Sequence, residues 1–191
     1  MTAWVAAGVL AALLIGGGVI GFLLFAMGRL GLDLDWGRSR HQLGPIEVEI
    51  DAPRELVFEI LEAPYAGRAR AEGVEVLDRG EDMVVASHLS KVHFYTARTI
   101  EVIAFERPER IRFRHLHGPV PHAVEAFELR EEGGRTSLRY GGELGIDFFA
   151  LGRLAGRRWV VPQWEGVVSA HLEDLRERAE ARAERARSRG A

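Results

Sequence analysis

The sequence predicts an α+β protein: a curved antiparallel sheet of about seven strands wrapped around a long C-terminal helix, with one transmembrane helix in front. Three observations carry that prediction. The first 28 of the 191 residues contain no charged side chain. From Pro45 onward apolar residues alternate with polar ones in short runs joined by turn residues, which is the period of half-buried strands. After Asp147 the period returns to helical, with Trp164, Val167, Val168, His171, Leu172 and Leu175 on one stripe.

The uncharged run from Ala3 to Met27 spans 25 residues, and about 20 suffice to cross a bilayer. A cleaved signal peptide would show a basic segment before the apolar run and a small-x-small cleavage site. Only Met1 and Thr2 precede the run, and Leu24-Phe25-Ala26-Met27-Gly28 lacks that site. A retained anchor is the better reading of residues 1–28. Arg29, Arg38 and Arg40 follow the run, so the positive-inside rule places the N-terminus outside and the C-terminal domain in the cytoplasm. Gly17 and Gly21 have a small-xxx-small spacing that suits helix packing, but glycine is common in membrane helices anyway, which favours the plain reading.

Residues 29–44 read as a linker, with Gly31, Gly37, Gly44 and mixed charge. Trp36 there suits a membrane-interface anchor or a packing contact with the domain. Ile46, Val48 and Ile50 then form the inward face of a strand. Pro53 opens a helix where a missing N–H is harmless. Leu56, Val57, Ile60 and Leu61 form its apolar stripe, and Pro64 is expected to end it. Six further strands follow, over Val74 to Leu77, Met83 to Leu89, His93 to Phe105, Ile111 to His117, Ala123 to Leu129 and Thr136 to Leu144. Their short connections argue for an antiparallel meander. Asp147 reads as an N-cap, and Pro162 as a kink or break. Beyond Leu175 the stripe continues only in alanine, so residues 180–191 read as a charged, frayed helical tail. A long helix with one apolar stripe can cover the open face of a bent sheet, and a ligand cleft suits the space between them.

Composition narrows the function. A formal net charge of −3 gives no electrostatic case for nucleic acid. With no cysteine there is no disulfide, thiolate metal site or cysteine nucleophile. Lys91 is the sole lysine, which leaves Schiff-base chemistry a single candidate. No P-loop, G-x-S-x-G or dinucleotide fingerprint is present.

Between Pro45 and about Ala179 the chain resembles the SRPBCC superfamily, also called START-like, helix-grip or polyketide cyclase/dehydrase-like proteins. Carrying the resemblance are the strand, Ala-Pro and helix of Ile46-Glu47-Val48-Glu49-Ile50-Asp51-Ala52-Pro53-Arg54-Glu55-Leu56-Val57-Phe58. The hairpin from Phe127-Glu128-Leu129 through Gly134-Arg135-Thr136-Ser137-Leu138 and the helix Trp164 to Leu175 add to it. The resemblance implies an internal hydrophobic cavity for lipids, polyketides, isoprenoids or hormones. Some members are cyclases, dehydrases or hydrolases and others only bind or carry. It implies no shared catalytic signature and no cofactor.

The residues offer one cluster for chemistry. Ile111, Phe113, His115 and His117 alternate on one face, opposite Arg110, Arg112 and Arg114. Matching apolar residues pairs Ile111 with Leu129 and Phe113 with Phe127, which sets His115 opposite Glu125. A carboxylate orients an imidazole for acid–base work, so His115 and Glu125 are the catalytic candidates. Phe113, His117, Phe127, Trp164 and His171 are the ligand-binding candidates, with Trp159 a second aromatic that suits a cavity wall or the core. A metal at His115, His117, His122 and Glu125 is disfavoured, since H-x-H on a strand recurs by chance. The arginine row suits a solvated face or lipid head groups. Three functions stay open: a membrane-anchored binder of a hydrophobic small molecule or lipid, a cyclase/dehydrase-type enzyme using His115 and Glu125, and a membrane-tethered interaction module with an unidentified protein partner.

Overall fold

The computed structural model describes residues 2–27, 33–67, 73–92 and 95–190. A single seven-stranded sheet runs in the order β1-β7-β6-β5-β4-β3-β2, with every neighbouring pair antiparallel. Its strands are β1 (Ser39–Ile50), β2 (Val74–Arg79), β3 (Met83–Val92), β4 (Tyr95–Glu106), β5 (Arg110–His117), β6 (His122–Glu132) and β7 (Arg135–Ile146). Helix α1 (Thr2–Ala26) precedes the sheet and α2 (Arg54–Ala66) joins β1 to β2. The chain ends in α3 (Phe149–Ala155), a π-helical turn over Gly156–Val160, and α4 (Val161–Gly190).

The core lies between the inner face of the sheet and the helices α2 and α4. Strands β4, β6 and β7 contribute Ile103, Phe105, Phe127, Leu129, Leu138 and Tyr140. The helices contribute Val57, Phe58, Leu61, Leu172 and Leu175. The strand period of two and the helical period of 3.6 were both legible in the sequence. Helix α1 is long and apolar enough to cross a membrane, and its apolar window Ala7–Leu24 is not buried against the rest of the chain. Near its C-terminal end, Phe22 meets Tyr95 edge-on at the start of β4.

Several expected boundaries move, each for a local reason. The first strand begins at Ser39 rather than Ile46, so much of the expected linker is structured; residues 29–32 lie outside the described residues. A register shift between Leu43 and Ile46 absorbs Gly44-Pro45. An edge strand tolerates such a proline, and Glu165 of α4 accepts the Gly44 N–H at 2.8 Å. Pro64 sits inside α2 instead of ending it. The expected beginning of the third meander strand, residues 93–94, lies outside the described residues. Pro162 does not break the last helix; the π-helical turn precedes it and the helix runs through. Such a turn offers one way to accommodate the proline's missing N–H.

Asp147 does not cap a helix. The residue before α3 is Phe148, which makes no side-chain cap. Asp147 instead accepts the Leu34 N–H at 3.0 Å and Arg38 Nε at 2.8 Å, which fastens the segment after α1 to the end of β7. The Arg38 hydrogen bonds outweigh burial and hold the Asp147 carboxyl below its usual range. The charged tail is also docked rather than frayed. Ala179 and Ala183 are buried, Arg182 pairs with Glu59 of α2 at 2.9 Å, and Arg187 reaches Asp51 at 3.3 Å.

Candidate functional site

The inner face of the sheet carries a row of polar groups where its apolar lining would otherwise continue. Along β4 the inward residues are Ala97, Thr99, Glu101, Ile103 and Phe105, so one carboxylate enters an otherwise apolar or hydroxyl-bearing series. Glu101 collects three neighbours. Thr99 donates its hydroxyl to Oε1 at 2.6 Å, His115 Nε2 lies 2.8 Å from that oxygen, and His88 Nδ1 lies 3.1 Å from Oε2. His88 in turn meets the Tyr65 hydroxyl through Nε2 at 3.2 Å. Strands β3, β4 and β5 and helix α2 thereby meet in one chain of contacts.

A second carboxylate sits on β6, the strand beyond β5. Glu125 Oε2 accepts the Tyr140 hydroxyl and the Trp164 indole N–H, the latter at 2.8 Å. The indole also lies 3.1 Å from the Tyr140 oxygen, and the Trp164 ring rests on His115 with centroids 5.2 Å apart. Phe127 and Phe113, in edge contact at 5.5 Å, pack in and against the core.

The two carboxyl groups are driven apart in acidity. Burial pushes both upward, but the close approach of His115 and His88 outweighs it at Glu101 and holds that carboxyl well below the usual range. At Glu125 burial prevails over the Tyr140 and Trp164 hydrogen bonds, and the nearby Glu101 charge adds to it, so the carboxyl is raised. Burial, then Coulomb repulsion from the buried carboxylates, also raises the Tyr65 and Tyr140 phenols.

His115 is the centre of the arrangement. Its side chain is 1% exposed. Nε2 is close enough to Glu101 for an ion pair but out of line for a straight hydrogen bond, and Nδ1 has no hydrogen-bond partner among the described residues. An orphaned buried nitrogen is costly.

The expected pairing of His115 with Glu125 is corrected. Ile111 faces Phe127 and Phe113 faces Glu125, a register displaced by two residues. An even displacement keeps both side chains on the inner face, but the carboxylate beside His115 is Glu101. His117 is corrected as well. The β4–β5 ladder slips by one at Leu116, pairing His117 with Ile100 while His115 pairs with Glu101. That bulge sets His117 on the face opposite His115. His171 is exposed, one position off the buried stripe of Leu172, Leu175 and Ala179. Trp159 is 56% exposed and lies outside the buried core. His122 meets Glu143 at 3.3 Å, and among the described residues no three metal-ligating side chains converge. The outward row is partly paired, Arg112 with Glu106 at 2.6 Å and Arg110 with Glu128 at 3.0 Å.

Glu101, His88, Tyr65 and Tyr140 were not singled out from the sequence. The alternation of β4 did signal Glu101, because a glutamate between Thr99 and Ile103 falls in the inward series. His88 and Tyr65 depend on which strands become neighbours, which alternation alone does not reveal.

No protein-family model matches the sequence, and no curated protein is similar to it in sequence. Solved structures do match. A protein of Thermus thermophilus superposes with a TM-score of 0.61 at 20% identity, over 76% of this chain and 99% of its own. The Zhui aromatase/cyclase of Streptomyces superposes at 0.51 and 20% identity, over 78% of this chain and 94% of its own. Norcoclaurine synthase of Thalictrum flavum, in complex with dopamine and hydroxybenzaldehyde, gives 0.53 at 10% identity, over 74% and 87%. The chain has the helix-grip fold of these structures, a seven-stranded antiparallel sheet packed against a long C-terminal helix.

Proposed function

We propose that the chain is a membrane-anchored helix-grip protein that binds a small hydrophobic molecule against its inner sheet face and performs acid–base chemistry on it, of cyclase or dehydrase type. The observation that carries this reading is the buried His115 imidazole, backed by Glu101 at Nε2 and unpartnered at Nδ1 among the described residues. A carrier needs shape and one polar handle. Here two carboxyls, two imidazoles and two phenols converge, and buried ionisable groups cost stability that a mere carrier has no reason to bear.

The roles follow from the geometry. With the Nε2 proton toward Glu101, the Nδ1 lone pair is the base and takes a proton from a carbon acid of the substrate. The imidazolium so formed is held by the Glu101 carboxylate. Glu125, whose carboxyl burial raises above its usual range, is the acid, passing its proton to the departing hydroxyl or the carbonyl oxygen. Loss of water from a hydroxyl-bearing carbon chain balances with one proton taken and one given. Phe113, Phe127 and Trp164 supply an aromatic wall, in keeping with the aromatic compounds bound by norcoclaurine synthase. Helix α1 supports membrane tethering, since 25 helical residues reach about 37 Å against a hydrocarbon core of about 30 Å. Arg29, Arg38 and Arg40 after the helix favour a cytoplasmic domain, and tethering concentrates the domain where apolar ligands reside.

The test is native mass spectrometry of the full chain in detergent, followed by solvent extraction. A bound apolar compound is expected, and in heavy water the chain should catalyse deuterium exchange at its carbon acids. That exchange should be lost in His115→Ala and Glu101→Gln. Bound compound with exchange unchanged in both variants leaves a carrier; an empty chain that takes up no offered aromatic or lipid sinks the reading altogether.

A further inference from the structure

We propose that the surface formed by α3 and the π-helical turn docks on an anionic lipid leaflet and holds the end of the sheet that bears His115 against the bilayer. The proposal rests on reading α1 as a membrane helix.

The surface is apolar where a solvated one would be polar. Phe148, Phe149, Leu151, Leu154 and Trp159 are all exposed, Leu151 to 74%. Trp36 adds to it, edge-on to both phenylalanines at 6.3 and 5.5 Å. Phe148 and Phe149 both hold positive φ, 77° and 53°, a left-handed backbone that bulky residues rarely adopt. The chain thus tolerates strain at two consecutive residues whose rings stay in the open.

The helical part of the surface carries charge of one sign, while Asp33 and Asp35 beside Trp36 face Arg38. From Phe148 to Trp164 the sequence contains Arg153, Arg157 and Arg158 and no acidic residue, within a chain of net charge −3. The three arginines are exposed and pair with no carboxylate among the described residues, whereas most other arginines of the domain do. Aromatic rings interleaved with unpaired basic side chains suit the headgroup zone of an anionic bilayer. A protein partner would require complementary carboxylates to find this patch; a leaflet provides the negative charge as phosphates.

Position agrees. Asp147 ties Leu34 and Arg38 to the foot of α3, and the seven residues from Met27 to Leu34 span at most about 25 Å. Phe22 of α1 touches Tyr95, where β4 begins. That is the end of the sheet where β7 finishes at Ile146 and β5 at His117, two residues from His115. The apolar helix, the patch and the reactive imidazole therefore share one end of the domain, and an apolar ligand would have a short path between leaflet and site.

The absence of cysteine makes the experiment direct. Leu151→Cys in the full chain, labelled with an environment-sensitive fluorophore, is reconstituted into nanodiscs of phosphatidylcholine with or without phosphatidylserine. Glu132→Cys, near the opposite end of β6 and β7, is the control. The expected result is a blue shift at position 151 that needs phosphatidylserine, is quenched by lipids with a mid-chain quencher, and is lost when Arg153, Arg157 and Arg158 are changed to Glu. The control should not shift. Water-like emission at 151 in a chain that stays with the disc through an alkaline wash overturns the docking while leaving the anchor standing. A chain that washes off removes both. Shielding of the label in detergent alone, rising with protein concentration, would assign the patch to a second copy and also overturn the proposal.

Discussion

Glu101 and Glu125 are the same residue type on one face of the sheet, yet the fold gives them opposite effects on stability. Glu101 is held below its ordinary value by its histidine neighbours against the pull of burial. Its contribution is complete above the range where an unfolded glutamate titrates, about pH 4.3, and is lost as pH falls toward the lower folded value. Glu125 is held above its ordinary value, chiefly by burial. As pH rises past about 4.3 the unfolded chain releases this proton first, so stability declines until the folded value is passed. Thermal melts of the full chain between about pH 4 and pH 8 should separate the two. Glu101→Gln should cost about 1–3 kcal/mol near neutral pH, because it removes the buried carboxylate that Thr99, His88 and His115 share. Glu125→Gln should leave stability equal or higher at neutral pH and flatten its decline with pH. Equal losses in both variants would contradict the division of roles. Sequence alternation placed His115 and Glu125 on the correct face, but the register that decides their partners was not readable, since a shift of two residues preserves every inward and outward position.

At the scale of elements, alanine was the least legible residue. The tail after Leu175 offered Arg, Glu and Ala, and alanine serves an exposed helix as well as a close helix contact. The structure uses Ala179 and Ala183 for the second purpose, both buried and near the Arg182–Glu59 pair that links α4 to α2. Ala179→Leu should therefore overpack this seam and cost about 1–3 kcal/mol, read as a lower urea midpoint; a tail free in solvent would make the same change neutral. The strands were more transparent. The antiparallel meander of β2 to β7 followed from short connections, whereas the place of β1 beside β7 did not, and the strand ends extended beyond the apolar runs wherever polar residues still completed a ladder. The same limit hid the bulge at Leu116, because no glycine or proline marks it, and with it the outward turn of His117. The β1 bulge at Gly44-Pro45 was marked by both residues but read as a boundary, since an edge strand that carries a proline looks in sequence like the end of a loop.

The whole molecule joins an uncharged helix to a polar domain through a short fastened segment, and that connection carries a topological prediction. Arg38 is not a free flanking charge: it holds Asp147 and meets Asp33 as well, so part of the positive signal after α1 also secures the domain. Acidic neighbours contribute little to orientation, and Arg29 and Arg40 lie on the same side of the helix in sequence. The domain is therefore expected in the cytoplasm, with the short N-terminus outside. A chain without cysteine allows this to be measured with single introduced thiols. In intact cells, a membrane-impermeant maleimide should label Thr2→Cys and spare Glu132→Cys, and permeabilisation should expose Glu132→Cys. The reverse pattern would place the domain on the outer side, where the α3 surface would face a leaflet of different charge and the docking contact would weaken with it. Labelling of Glu132→Cys in the medium, with no protein left in the membrane fraction, would instead identify the uncharged segment as a removed signal and leave the interior acid–base site as the function of a secreted domain.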